Sequence, residues 1–306
     1  MVRITTNTRL FWEKSNNKTL KVLYGAGIKA EVIIELAKKA NFKIDYLIDS
    51  DLSKNGHCFN KIPVLSIDVF KEISKGFDVH VFVTVRDLYP ARLALEANLD
   101  NALILLPIDD CEVPCFNMSL APLRNMVLKN KDLTIISNTC VAAHTYKLLD
   151  LRYNSPTIAT TFKTNDFYKF CKNFKYYMAQ ELEFVSKENW YGSNTLHVVA
   201  RLDDVEIEFQ YKTDFAEIKA TWERRKSRIN YDNLFFIWDV GNYPASTGML
   251  NEFADIELGK KLIMFRDTAI HAPVKHSISN INWFAPLEMH EKKFLLCDWL
   301  NGDVEY

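Results

Sequence analysis

The sequence predicts an α/β protein made of two tandem Rossmann-like α/β domains, the first of them a doubly wound parallel sheet. Short apolar runs alternate with helical patterns through the first 107 residues, which is typical of a parallel sheet covered by helices. A second series of strand, turn and helix begins at Leu133, after a stretch with three prolines. We therefore expect a nucleotide-binding-type domain at 1–110, a linker at 111–132 and a second α/β domain with a ligand pocket at 133–306.

The charge and the apolar pattern argue against two classes of partner. The formal net charge of -1 does not favour binding to nucleic acid or to an anionic membrane. No apolar stretch reaches the roughly 18 residues that a membrane span needs, and the start has no signal-peptide run. The six cysteines are scattered, so we expect a cytoplasmic protein with reduced thiols. The oligomeric state stays open.

A glycine motif follows the first strand of the predicted sheet. The motif G-x-G-x-x-A spans Gly25 to Ala30, after the β-prone run 19–24 and before a helical pattern. The first glycine permits a tight turn, and Gly27 lets a phosphate approach the backbone. Asp49 ends the second strand, near the spacing at which an acid meets a ribose hydroxyl. The sequence predicts nucleotide binding by Gly25, Gly27 and Asp49, or a nucleotide-type fold without its ligand.

The first domain also resembles a known kind of module. The strand–GAG–helix unit, the acid after the second strand and the I-P-V of a third strand at 62–64 carry the resemblance. It covers 19–107 and points to the small Rossmann-like modules of bacterial sugar-modifying and surface-polysaccharide proteins. The resemblance implies a Rossmann-like fold and suggests a nucleotide-linked ligand.

The second half opens on a strand that ends in a polar turn. Ser137 and Asn138 follow the run 133–136, and their side chains can cap the helix that comes next. Alternatively, they form an anion or sugar-hydroxyl site at the carboxyl end of a parallel strand. Cys140 and His144 share a helix face, which is compatible with an activated thiol or with a small buried hydrophobe.

Two further strands and a strand-end acid complete this domain. The runs 198–202 and 205–211 flank Asp203-Asp204 and predict a hairpin with one wet face. The apolar run 233–240 contains Asp239 near its end, a candidate base or hydroxyl ligand, or simply an acid that caps a loop. Ser137, Asn138, Cys140 and Asp239 are the candidate catalytic residues.

A helix between these strands carries a basic cluster. Phe215, Ile218, Trp222, Arg225 and Ile229 recur at helical spacing, so Arg225 interrupts an apolar stripe. A buried guanidinium needs a carboxylate or a phosphate partner. Arg225 therefore predicts either an internal ion pair or, with its basic neighbours, a phosphate or pyrophosphate site.

The cysteine and histidine pairs do not predict a metal site, and the dehydrogenase-like spacing in the second half does not predict a catalytic pair. Cys111 and Cys115 have no second pair, and His271 and His276 have no acid beside them, so we interpret both as loop residues. An aromatic-rich pattern predicts one helix at 165–179, and it contains the Y-x-x-x-K spacing of short-chain dehydrogenases at 168–172. This spacing lies in the other domain from the glycine loop. We interpret it as coincidence.

The second half resembles a bacterial family of unknown function whose members are often labelled exopolysaccharide biosynthesis proteins. The motifs I-S-N-x-C, Y-N-S-P-T, F-x-Y and W-x-R-R-x-x-R-I-N-x-x-N carry this resemblance over 133–265. The sequence has Gln210 where the family often has a histidine. The resemblance implies substrate-binding or phosphate-binding roles for Asn154, Tyr211, Trp222, Arg225, Arg228 and Asn230.

These observations favour an enzyme of exopolysaccharide or surface-glycan biosynthesis, a transferase acting on a nucleotide-activated or phosphorylated sugar. The ligand or cofactor expected is a nucleotide or a nucleotide sugar. One alternative is a non-catalytic nucleotide-sensing or assembly protein, and another is an NAD-dependent oxidoreductase. The sugar-related function further predicts that the Ser137 turn and Arg225 border one pocket.

Overall fold

The computed structural model describes residues 1–13, 16–107, 119–189, 196–210, 212–241, 245–265, 274–278 and 296–304. The chain forms two compact units. Unit 1 comprises Met1–Leu128 and Leu148–Asp150, and unit 2 comprises Lys129–Lys147 and Leu151–Tyr306. The mixed α/β class predicted from the sequence is confirmed, and the two units are described separately below.

Unit 1 contains a seven-stranded sheet in the order β1-β7-β6-β2-β3-β5-β4. Every neighbouring pair is parallel except β4 and β5, which are antiparallel. The strands that follow β2 in the chain, β3 to β5, lie on one side of it, and β6 and β7 lie on the other. The direction of winding therefore reverses between β2 and β6. The strands are β1 Arg3–Thr5, β2 Thr19–Tyr24, β3 Tyr46–Ile48, β4 Cys58–Phe59, β5 Ile62–Leu65, β6 Asp78–Val83 and β7 Ala102–Leu105.

Helices cover both faces of this sheet. One apolar cluster contains Ile33 and Leu36, and a second contains Ala91 and Leu95. Burial on both faces explains why β6 ends in a continuous apolar run at 81–83 rather than alternating throughout. The helices described in unit 1 are α1 Arg9–Trp12, α2 Ile28–Lys39, α3 Ile67–Ile73, α4 Leu88–Asn98 and α5 Ala121–Val127.

Unit 2 contains two four-stranded sheets. A parallel sheet has the order β15-β14-β13-β8, and an antiparallel sheet has the order β10-β11-β12-β9. The predicted second Rossmann-like domain is therefore not confirmed, because half of its strands are antiparallel. The strands are β8 Thr134–Ser137, β9 Thr160–Thr161, β10 Glu183–Asn189, β11 Leu196–Leu202, β12 Val205–Phe209, β13 Leu234–Asp239, β14 Lys260–Met264 and β15 Ser277–Ile278.

The predicted hairpin of unit 2 is confirmed. Strands β11 and β12 pair antiparallel with Leu202 opposite Val205, and Asp203 adopts the left-handed conformation that so tight a turn requires. Along β12, Val205, Ile207 and Phe209 are buried while the glutamates between them are partly exposed. This alternation is what the sequence predicted.

The helices of unit 2 enclose an aromatic core. The single helix predicted from 165 to 179 is interrupted at Asn173, where the backbone leaves helical geometry and two helices result. Asp214 begins the basic helix by accepting from the N–H groups of Ala216 and Glu217. The helices described are α6 Val141–Leu148, α7 Thr164–Lys172, α8 Phe174–Ala179, α9 Phe215–Lys226, α10 Thr247–Ala254 and α11 Leu296–Asn301.

Candidate functional site

The glycine loop of unit 1 is tight at one end and open at the other. Gly25 has a φ of 111°, and a Cβ there would lie 2.7 Å from Val85 Cγ1 and 2.8 Å from Thr84 Oγ1. A side chain at this position would clash with the residues that follow β6. At Gly27 a Cβ would meet no heavy atom within 4 Å, so the loop faces open space where α2 begins.

Asp49 holds this loop from the neighbouring strand. Its Oδ2 accepts from the Ala26 N–H at 2.7 Å and from Lys54 Nζ at 2.9 Å, and its Oδ1 accepts from the Asp51 N–H at 2.9 Å. Burial raises the pKa of Asp49, but the hydrogen bonds from Asp51, Ala26 and Lys54 outweigh burial and lower it. The carboxylate is therefore ionised and braced, and its role toward a nucleotide stays a prediction.

The polar turn of unit 2 is closed by its own side chains. Ser137 Oγ donates to the Thr139 carbonyl at 2.6 Å and accepts from the Ala142 N–H at 2.9 Å. The Asn138 amide bonds both backbone groups of Asp239, each at 2.8 Å. Ser137 and Asn138 are fully buried, so this turn joins strand β8 to strand β13 just beyond their paired residues.

The two other candidate catalytic residues differ in exposure. Asp239 is 1% exposed, and its carboxylate accepts from the Gly241 N–H at 3.1 Å and from the Thr139 hydroxyl at 3.4 Å. Cys140 is partly exposed. Burial, followed by the charge of Lys147, lowers the pKa of His144, so this imidazole is neutral at pH 7.

Three asparagines of the family-like motifs converge on Asp132. Asn230 Nδ2 and Asn233 Nδ2 donate to the Asp132 carbonyl at 2.8 and 3.0 Å, and Asn154 Nδ2 donates to its Oδ1 at 3.3 Å. The Asn230 N–H also donates to Thr134 Oγ1. This network joins the start of β8 to two loops, one carrying Tyr153 and the other carrying Arg228.

Arg225 and Arg228 both contact the loop that carries Tyr153. Arg225 donates through Nη1 to the Ile158 carbonyl at 3.3 Å, and its guanidinium lies 5.5 Å from the centre of the Tyr153 ring. Arg228 donates through Nη1 to the Tyr153 carbonyl at 3.2 Å. Both contacts are with neutral groups.

Four guanidinium groups gather at this point, and we call Arg152, Arg224, Arg225 and Arg228 the arginine cluster. Burial, followed by the charge of Arg224, lowers the pKa of Arg225, and burial followed by Arg152 lowers that of Arg228. Within the described ranges, no carboxylate forms an ion pair with any member of the cluster. The C-terminal end of α9 supplies partial negative charge, but only within its last turn.

The structure brings the predicted residues together in three groups. Gly25, Gly27 and Asp49 share the loop of unit 1; Ser137, Asn138 and Asp239 share the buried turn; and Arg225, Arg228 and Asn154 surround Tyr153. Ser137 and Arg225 contact consecutive residues, since the Ser137 N–H donates to Thr157 Oγ1 and Arg225 bonds Ile158. Whether they border one pocket stays a prediction.

Some predicted residues contribute elsewhere or lie beyond description. Trp222 is 1% exposed and packs its ring against Phe209 at 5.9 Å. Tyr211 lies outside the described residues, as do Cys111, Cys115 and His271. Sequence reasoning missed Arg152 and Tyr153, although a basic residue and an aromatic one directly before the turn N-S-P-T were a usable signal.

The described residues show neither a membrane-spanning helix nor a cluster of metal ligands. None of the helices there combines the length and the apolar character needed to cross a bilayer. Nor do three or more histidine, cysteine, aspartate or glutamate side chains gather in those residues as metal ligands would.

Comparison with known proteins identifies the family of the chain. An uncharacterized protein of Haemophilus influenzae is 34% identical over 110 residues, which are 36% of this chain and 50% of that protein. The chain thus spans about half the length of this curated relative. A family model described as "Domain of unknown function (DUF1919)" matches residues 115–290, more than half of the 306 residues. The chain therefore belongs to the DUF1919 family.

Proposed function

We propose that unit 2 binds the phosphate of a phosphorylated or nucleotide-activated sugar through its arginine cluster. We further propose that the protein acts as a transferase in exopolysaccharide or other surface-glycan biosynthesis. One observation carries the first proposal: the partly buried Arg225 guanidinium has a carbonyl and an aromatic ring as partners, and like charges as neighbours.

Gathering like charges in a partly buried place has a cost in free energy. Removing a guanidinium from water is unfavourable unless an anion compensates it, and Arg224 and Arg228 make the balance worse. A carbonyl bond and a cation–π contact compensate only part of this cost. A phosphate would accept paired hydrogen bonds from guanidinium groups, which is the geometry that arginine offers best. An internal ion pair, the competing interpretation, finds no carboxylate among the described residues.

The loop of unit 1 supports a separate proposal, that this unit binds a nucleotide. Gly27 opens onto free space at the start of α2, where backbone N–H groups and the helix dipole favour an anion. The pKa of Lys29 is lowered by burial and then by the charge of Arg86, so two cations stand near this loop. We assign nucleotide binding there to Gly25, Gly27 and Asp49.

We assign catalysis to the Ser137 turn, whose members differ in their access to solvent. Ser137, Asn138 and Asp239 are buried and their polar atoms are engaged, whereas Cys140 is partly exposed. Cys140 is thus the member of this group that a substrate reaches most directly. The same burial favours a second candidate function, a non-catalytic protein that senses a nucleotide or assists assembly.

The test compares ligand binding by the wild-type protein with ligand binding by two arginine variants. Pyrophosphate, UDP-glucose and NADH are titrated calorimetrically into the wild-type protein, Arg225→Ala and Arg201→Ala. Arg201 is the matched control because it lies in the same unit and pairs with Glu183 at 2.9 Å. We expect Arg225→Ala to weaken pyrophosphate and UDP-glucose binding about 100-fold, the effect of losing a paired charge–phosphate contact. Arg201→Ala should change neither.

Several outcomes would decide against the proposal. Unchanged anion binding by Arg225→Ala, or equal losses in both variants, would remove the arginine cluster as the site. Tight NADH binding with no sugar-nucleotide binding would favour the oxidoreductase instead. Binding of UDP-glucose without turnover in the presence of acceptor sugars would favour the non-catalytic function.

A further inference from the structure

Two polar atoms in the interior of unit 2 lack hydrogen-bond partners beside the arginine cluster. They are Thr160 Oγ1 and Trp222 Nε1, on side chains that are 0% and 1% exposed. Neither atom has a protein partner in the part of the chain that the structure describes. Buried polar groups are almost always paired in native proteins, so each of these exceptions requires an explanation.

Helical spacing relates Trp222 to Arg225, and strand pairing with one ring contact relates Thr160 to Trp222. Trp222 precedes Arg225 by three residues on α9, and so shares its face of the helix. Thr160 stands opposite Phe209 in the pairing of β9 with β12, and the Phe209 ring lies 5.9 Å from that of Trp222. Paired residues of an antiparallel ladder project to the same face, so Thr160 and Trp222 face one region.

The chemistry of the two groups describes what would satisfy them. An indole N–H can only donate, so Trp222 requires an oxygen acceptor, while the threonine hydroxyl can donate or accept. Neither group carries charge, unlike the neighbouring guanidinium groups. A ligand that paired with the arginine cluster and with these two groups would combine an anionic end with a neutral, oxygen-rich body.

We propose that Thr160 and Trp222 form a hydroxyl-recognition subsite next to the arginine cluster, and that the ligand is therefore a sugar phosphate rather than an inorganic anion. This inference rests on the proposed phosphate site. It assigns the two residues a specificity role: the arginine cluster binds the phosphate, and the buried pair selects the hydroxyl-bearing body attached to it.

The subsite is closed in this structure, and the adjoining segment explains how it opens. Ile158 and Thr160 flank Ala159, which has a left-handed φ of 59° that is unfavourable for alanine. The Ile158 carbonyl is the hydrogen-bond acceptor of Arg225. A phosphate that takes over Arg225 releases this carbonyl, so the strained segment can shift and expose Thr160 to the ligand.

A third unpaired atom in the same unit provides an internal control. Trp238 Nε1 is also buried without a partner in the described residues. Its ring, however, packs against Phe167 at 5.6 Å and Phe253 at 4.9 Å, on the aromatic side of the core. Trp238→Phe therefore removes the same N–H group from a ring that packs against Phe167 and Phe253.

The experiment compares Thr160→Val, Trp222→Phe and Trp238→Phe with the wild-type protein. Melting temperatures are measured without ligand, and affinities are measured for pyrophosphate and for a panel of hexose 1-phosphates. We expect Thr160→Val to melt at the same or a higher temperature, because an unpaired buried polar group is removed. Both Trp→Phe variants should melt lower by similar amounts, because the smaller ring leaves a cavity in the core. Thr160→Val and Trp222→Phe should bind the best hexose 1-phosphate about tenfold more weakly, the effect of one lost hydrogen bond, with pyrophosphate affinity unchanged.

The outcomes separate this inference from the proposed function. Hexose phosphate affinity that is unchanged in both site variants, or reduced equally in Trp238→Phe, would overturn the subsite and leave the phosphate site standing. A hexose phosphate panel that binds no better than pyrophosphate would overturn it too. A wild-type protein that binds neither pyrophosphate nor any hexose phosphate would overturn the phosphate site and, with it, this inference. Thr160→Val is nearly isosteric, so it keeps the test decisive if Trp222→Phe fails to fold.

Discussion

Asp49 in unit 1 and Arg225 in unit 2 are both partly buried charged side chains, but the groups that contact them differ. Asp49 receives two backbone N–H groups and the ammonium of Lys54. Arg225 receives a carbonyl and a ring, and is surrounded by further arginines. A charge that the chain itself compensates serves the fold, whereas a charge left uncompensated points to a ligand.

The same contrast distinguishes two strand–turn–helix motifs, the one that contains Gly27 and the one that contains Ser137. The helix after the glycine loop has Gly27 at its start and no side-chain cap, while Ser137 bonds the first turn of α6 from within. The Asn138 amide then ties its turn to the next strand. The glycine loop is thus left open to a ligand, and the Ser137 turn is filled by protein groups.

The largest expected effect tests whether the Ser137 turn is structural. Asn138→Ala would leave the buried N–H and carbonyl of Asp239 without their amide partner. We expect a loss of about 3 kcal/mol in the free energy of unfolding of unit 2. Urea denaturation, with hydrogen exchange of unit 2 peptides, measures this. Asn251→Ala, on the exposed side of α10, is the control, and a loss for Asn138→Ala no larger than the control's would show that the turn is not a structural tie.

The next effect tests the comparison of the two charges directly. Asp49→Ala should destabilise unit 1 by about 2 kcal/mol, because the Ala26 N–H and Lys54 lose their common acceptor. Arg225→Ala should change the stability of unit 2 by no more than about 1 kcal/mol, since it removes like-charge repulsion along with a carbonyl bond.

Lys54→Ala is the matched control for Asp49→Ala. It removes the cation but leaves both backbone N–H groups on the carboxylate, and Lys54 is 41% exposed. We expect a loss below about 1 kcal/mol. The comparison fails if Arg225→Ala destabilises its unit more than Asp49→Ala destabilises the other, as measured by hydrogen exchange in each unit.

The sequence predicted the elements better than the partners of their side chains. Apolar runs and turn residues located most strands and helices, because these signals are local. Strand β10 was missed because Glu183–Asn189 is exposed along nearly its whole length and carries no buried alternation. The break at Asn173 was missed because an aromatic-rich pattern continues across it.

The site could be predicted only as a set of residue types. Three of the four arginines were visible in or just after one helix, whereas Arg152 was not. Whether a carboxylate among the described residues pairs with them depends on residues far away in sequence. The asparagines at 154 and 230 looked like ligand contacts, and both bond Asp132. Polar motif residues that bind the backbone and those that bind a ligand have the same sequence signature, so only geometry separates them.

A smaller effect is expected from pH, and it has opposite signs in the two units. In unit 1, burial and then the charge of Lys21 lower the pKa of His80 from 6.5 to about 4. The unfolded chain binds a proton on this ring between those values while the folded chain does not, so stability falls as pH drops through that window. Because the ring is only half-buried, we expect a loss of about 1 kcal/mol between pH 6.5 and pH 4.

In unit 2 the corresponding group acts the other way. Burial raises the pKa of Glu208, so the folded chain binds a proton before the unfolded chain does and gains stability as pH falls. His80→Gln should reduce the stability that unit 1 loses as the pH falls. Glu208→Gln should remove the stability that unit 2 gains as the pH falls. Hydrogen exchange of each unit at pH 4.5 and pH 7 measures both, and equal slopes before and after substitution would contradict these assignments.

The smallest effect concerns the two positions where the backbone turns left-handed beside a candidate site. Gly25 has no room for a Cβ, whereas Ala159 carries one at a φ of 59°. Ala159→Gly relieves a conformation that L residues avoid, but it also adds freedom to the unfolded chain. These terms nearly cancel, so we expect a net change within about 0.5 kcal/mol by urea denaturation. A gain well above this would mean that the strain at Ala159 exceeds the entropy that glycine adds to the unfolded chain. A clear loss would mean that the Ala159 methyl group packs well enough to outweigh the strain, and the closed subsite would then have no reason to open at this residue.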